Sequence, residues 1–128
     1  MATSNIPRQP LNTAIVNVSG NIVNNYIVLQ SSGSISYQIR NDICFLRFRD
    51  VTFANVPAVD TIILTGLPKP SRTMLLSRRI MSTNDKGHTI SIITNNDTEG
   101  AIKTNPSSDT TGIIHDFISY PVDKSWTP

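Results

Sequence analysis

Charge, cysteine, glutamate and histidine are all scarce in this chain of 128 residues, and each shortage removes a class of function. Only 16% of the residues are charged, below the usual quarter, and the net charge is +2. That is too little for a nucleic-acid footprint, so the grouped Arg72, Arg78 and Arg79 read as solvated or interface arginines. Cys44 stands alone, which rules out an internal disulfide, and its apolar surroundings mark it as a buried structural thiol. Glu99 is the single glutamate, and the two histidines, His88 and His115, lie far apart in sequence. No HExxH, CxxC, GxSxG or Walker-type spacing occurs, so no catalytic set, metal site or cofactor is expected. No apolar run approaches the ~18 residues of a membrane span, and residues 1–20 lack the basic-then-apolar order of a signal peptide. Membrane insertion and signal-led secretion are therefore not expected.

What the chain does have is serine, threonine and asparagine alongside 38% hydrophobic residues. These polar types favour turns and pleated surfaces without adding charge. Residues 1–12, with Pro7 and Pro10, read as an N-terminal arm or linker, and 13–128 as a single β domain. Runs at 14–18 and 22–29 flank Ser19-Gly20-Asn21, a hairpin signal, and Ser31-Ser32-Gly33 reads as the next turn. Residues 35–39 alternate with period two, as a strand with one wet face does.

Residues 42–53 change phase. Cys44, Leu46 and Phe48 share one parity, whereas Val51 and Phe53 take the other, which predicts a bulge or a sheet crossing near Arg49-Asp50. In 59–65 the Ile62-Ile63-Leu64 centre predicts a central strand covered on both sides. Next comes the most distinctive stretch, 66–94. Leu67-Pro68-Lys69-Pro70-Ser71 cannot continue a ladder, because proline lacks the donor N–H. A strand, the loop Asn84-Asp85-Lys86-Gly87 and a second strand then read as a hairpin. Asn95 to Asp97 turns the chain, 100–104 offers a short strand, 105–111 a loop, and 113–122 the last strand. No segment has sustained helical periodicity. The expectation is an all-β fold, a compact antiparallel sandwich or barrel. Met74, Leu75, Leu76 and Met81 leave no parity of their strand wholly polar, which favours a homo-oligomer.

Binding chemistry is better represented than catalysis. His88 opens a strand, and the neighbouring Thr89 and Ser91 offer short hydroxyls. His115 and Asp116 interrupt an apolar strand and must point to opposite faces. Trp126 offers either a stacking face for a sugar or a C-terminal plug. His115 reads equally as a hydrogen-bonded core or interface histidine and as a polar anchor for saccharide hydroxyls. The aspartates fall mostly at predicted turns, and turn chemistry explains them more economically than an acid–base pair does.

The order of a β-rich first half, Gly66-Leu67-Pro68-Lys69-Pro70-Ser71-Arg72, a loop ending in Gly87, Ile90-Ser91-Ile92 and a closing Ile118-Ser119-Tyr120-Pro121-Val122-Asp123 resembles a known pattern. It is similar to the C-terminal head domains of phage receptor-binding proteins, notably on baseplates of siphophages infecting lactococci and related Gram-positive bacteria. The resemblance covers about 34–123. It implies a homotrimeric head in the virion, at the tail tip or baseplate, made in the host cytoplasm. Its partners would be other phage tail or baseplate proteins and a host cell-wall saccharide, and it would not be an enzyme. Such heads commonly set a His, an Asp and an Arg around the saccharide, with a His-x-Asp pair on the strand that here begins at His88. This chain has His88-Thr89-Ile90-Ser91 there, without the aspartate, and His115 is the nearest counterpart of the arginine. Two other expectations stand beside this one: a structural baseplate or tail protein, and a glycan-cleaving tailspike.

Overall fold

The computed structural model describes residues 8–57, 59–72, 76–83, 87–105 and 112–128. The chain is all-β and forms two antiparallel sheets that do not close into a barrel. The strands are β1 (Val16–Asn17), β2 (Ile27–Arg40), β3 (Ile43–Phe53), β4 (Thr61–Leu67), β5 (Leu76–Met81), β6 (Gly87–Asn95), β7 (Glu99–Asn105) and β8 (Ile114–Pro121). One sheet has the order β1-β2-β3-β8 and the other β4-β7-β6-β5. The second is a Greek key, in which β5, β6 and β7 follow one another and β4 lies beside β7. Both sheets feed one core cluster, with Ile35, Ile39, Leu46 and Phe48 from the first meeting Ile63, Leu64, Ile90 and Ile102 from the second.

The turns follow residue chemistry. Asn41 and Asp42, both at positive φ (49° and 65°), join Arg40 to its partner Ile43 in a two-residue turn. Asparagine and aspartate tolerate that left-handed conformation best among residues with a Cβ. Asn96 and Asp97 take the same positive φ (51° and 67°) in the three-residue connection between Asn95 and Glu99. The expected β5–β6 hairpin is present, with Met81 opposite Gly87, while the loop 84–86 lies outside the described residues, as do Met74, Leu75 and 106–111. At the prolines, Gly66 takes φ 69° and donates its N–H to Glu99 Oε2, and Tyr120 donates its hydroxyl proton to the Pro68 carbonyl at 2.7 Å.

Three expectations are revised. Ser19-Gly20-Asn21 forms a 3-10 turn, not a hairpin: β1 pairs with the distant end of β2, Val16 opposite Tyr37. Ser31-Ser32-Gly33 does not turn the chain either. β2 runs through it, and the extra residues are absorbed as a register shift between Leu29 and Ser34. Finally, β4 lies at the edge of its sheet. It is apolar on both sides because a register shift between Ile62 and Leu64 turns Ile63 and Leu64 both inward. The chain before β2 covers the exposed edge, Val23 N–H donating to the Ile63 carbonyl at 3.0 Å.

The phase change in β3 is a bulge. Phe48 pairs with Asp116 and Val51 with Ile114, so Arg49 and Asp50 together face the single residue His115. Asp50 takes φ 53°, and its carboxylate Oδ2 accepts the Ser32 N–H at 3.1 Å.

The arm is fastened where the structure describes it. Arg8 pairs with Asp42 at 2.8 Å, and Asp42 also accepts the Leu11 N–H at 2.9 Å. Leu11 packs against the core.

Candidate functional site

The outer face of the first sheet carries the feature most suited to binding. Strand alternation turns Cys44, Leu46 and Phe48 into the core, so Phe45 and Arg47 of β3 must face outward. Register then sets two rows across the sheet: Ser36, Arg47 and Phe117, and beside it Gln38, Phe45 and Ser119. Phe45 and Phe117 are 41% and 58% exposed, and Ile15, ahead of β1, is 69% exposed. These three, with Tyr37 and Arg47, line a concavity of about 450 Å³.

A smaller groove of about 180 Å³ adjoins it, sharing Arg47 and Phe117 and adding Phe48, His115 and Asp116. The β3 bulge shapes this groove. Because two residues face His115, the Asp50 N–H is left to reach the ring, and it donates to Nδ1 at 3.1 Å. An Nδ1 that accepts puts the proton of the neutral ring on Nε2. Asp116 shares the parity of the buried Ile114 and Ile118, and its Oδ1 accepts the Phe117 N–H at 2.7 Å. The described ion pairs join Arg8 to Asp42 and Lys103 to Asp60; among the described residues none reaches Arg47 or Arg49.

Beneath this face lies a hydroxyl and thiol cluster held neutral by burial. Burial pushes the Cys44 thiol up to about 12, against the opposing pull of its hydrogen bond with Tyr120. The Tyr37 and Tyr120 hydroxyls are raised for the same first reason, with Cys44 adding to both.

The other sequence candidates are dispersed. His88 is 1% exposed and stands edge-on to Phe53 with ring centres 5.1 Å apart, so its ring belongs to the core. Ser91 is buried on the same strand, while Thr89 is exposed on the second sheet. Trp126 packs against the core near the C-terminus, its backbone N–H donating to the Asp123 carbonyl at 3.0 Å. Of the six candidates, His115 and Asp116 line a common groove among the described residues.

Sequence reasoning passed over Arg47, Phe45 and Phe117. The signal was an aromatic residue, Phe45 in β3 and Phe117 in β8, at the parity that strand alternation assigns to solvent. Among the described residues, no three His, Cys, Asp or Glu side chains gather as a metal site would require. Compared with family models, curated proteins and solved structures, the chain shows no match.

Proposed function

We propose that this chain is the head of a phage receptor-binding protein, a two-sheet sandwich that acts as a homotrimer at the tail tip and holds a host cell-wall saccharide. The ligand would be a cell-wall polysaccharide or a teichoic-acid-like glycan, bound without being cleaved. The observation that carries this reading is the outward concavity beside His115, where exposed rings adjoin hydrogen-bonding groups on rigid strands. Sugars need that pairing of flat apolar contact with fixed polar groups. Each site would bind weakly, and several sites per virion would raise the avidity. Calorimetric titration with purified cell-wall polysaccharides tests the reading, with release of reducing ends followed in parallel. Binding without release supports it; release would identify a tailspike instead.

A second reading, a structural tail or baseplate protein, draws on the same face. Covering what remains exposed of a ring such as Phe117 is worth about 1–2 kcal/mol, enough to reward assembly. The glycan titration separates the two readings. A monomeric mass by light scattering at micromolar concentration would rule out the trimer.

A further inference from the structure

The small groove is furnished with donors. We infer that it takes the anionic group of a charged saccharide, a carboxylate or a phosphodiester, held between the Arg47 guanidinium and the Nε2–H of His115. This deepens the saccharide reading and rests on it.

Four observations carry the inference. The Asp50 N–H occupies Nδ1 of His115, so the free ring nitrogen is a donor and not an acceptor. Arg47 and His115 both line the groove from the outer face, and the register makes them diagonal neighbours, with Cα atoms about 7–8 Å apart. Two donors at that spacing suit a group with several acceptor oxygens. Arg47 keeps its charge for a ligand: Asp50 accepts from the Ser32 backbone and Asp116 from the Phe117 backbone, and no described ion pair includes Arg47. Lastly, the adjoining concavity is walled by Ile15, Phe45 and Phe117, which offers the sugar ring an apolar seat while its charge lies over Arg47. A neutral glycan would use the rings and leave the guanidinium to water. An acidic peptide presents similar charge, but its flexible backbone would lose more freedom on this shallow face than a stiff sugar ring does.

The test uses the full chain. Its affinity is measured for galacturonan against the fully methyl-esterified form, and for poly(glycerol phosphate) against dextran, in each case with Arg47→Gln and Arg47→Lys alongside. A short poly-glutamate peptide is included. The charged member of at least one pair should bind tenfold to a hundredfold better than its neutral counterpart. Arg47→Gln should remove most of that margin, and Arg47→Lys should keep part of it, because a point charge lacks the planar fork. Which pair responds tells carboxylate from phosphodiester. A long-range proton–nitrogen correlation spectrum at about pH 8 should show the His115 proton on Nε2, with or without ligand, and a proton on Nδ1 would overturn the inference. So would equal binding of charged and neutral glycans, or an Arg47→Gln variant with unaltered affinity; either leaves the saccharide reading intact. Binding of no glycan at all would overturn both, and tighter binding of poly-glutamate would reassign the groove to a protein partner.

Discussion

Replacing Gly33 by alanine should unsettle both the fold and the groove, although Gly33 lines neither concavity. A Cβ built there lies 2.6 Å from the Asp50 carbonyl oxygen, 2.7 Å from the Gln30 nitrogen and 2.9 Å from the Leu29 Cα. All three contacts are backbone, so no side chain can swing away, and the strand itself must shift. Forcing an atom into a packed site costs about 1–3 kcal/mol. At ~2.1 cal/mol/K of unfolding entropy per residue, a 128-residue chain loses about 4 °C per kcal/mol. A fall of roughly 4–11 °C in the thermal midpoint is therefore expected for Gly33→Ala. Gly20→Ala is the matched control: nothing lies within 4 Å of its Cβ, and the midpoint should move by no more than about 2 °C. Thermal unfolding followed by circular dichroism measures both. Because the obstructed carbonyl belongs to Asp50, whose N–H holds His115, glycan affinity should fall along with stability. A Gly33→Ala protein that melts like the parent would refute the packing of β2 against the bulge.

Three further outcomes are expected. His115→Ala should weaken glycan binding about three- to tenfold, the worth of one hydrogen bond, and leave the oligomeric state as in the parent; unchanged calorimetric affinity would sink the assignment. The Leu11 N–H, and after it Arg8, hold the Asp42 carboxyl below its ordinary value of 3.8. A depressed carboxyl stabilises the fold above its unfolded pKa and loses that contribution as the pH falls through the folded one. Urea midpoints of the parent and Asp42→Asn should therefore differ at about pH 6 and converge as the pH drops below 3.8; a constant gap would refute the clamp. Finally, the buried Cys44, its thiol pushed up to about 12, should resist a disulfide reagent at about pH 8 and react fully in urea. Fast labelling of the native protein would contradict its burial.

Much of the fold was legible because strand parity is a short-range signal. The opposed phases of Leu46 and Phe48 against Val51 and Phe53 located the bulge to Arg49 and Asp50, where the pairing shows it. The same local signal misled at Ile62-Ile63-Leu64. There a register shift in an edge strand produces the double-sided burial of a central one, and the covering segment before β2 is remote in sequence. Ser31-Ser32-Gly33 has turn chemistry, yet pairing on both sides of it keeps β2 continuous. The candidate site was half legible. His115 stood out as a polar interruption, but its ring is aimed by a backbone N–H 65 residues away, which no local pattern encodes. His88 fails in the opposite way: a polar type at a core parity, it packs on Phe53.

The pairing of β3 with β8 also sets an order of events. About 60 residues separate the end of β3 from the start of β8, and at ~5–20 residues per second a ribosome takes roughly 3–12 s to supply them. During that time β2 and β3 can zip together through their two-residue turn, but the other edge of β3 has no native partner. An open edge invites pairing with another nascent chain, and charged side chains discourage it. Arg47 and Arg49 alternate along that strand. Before either can meet a ligand, both can guard the unfinished sheet.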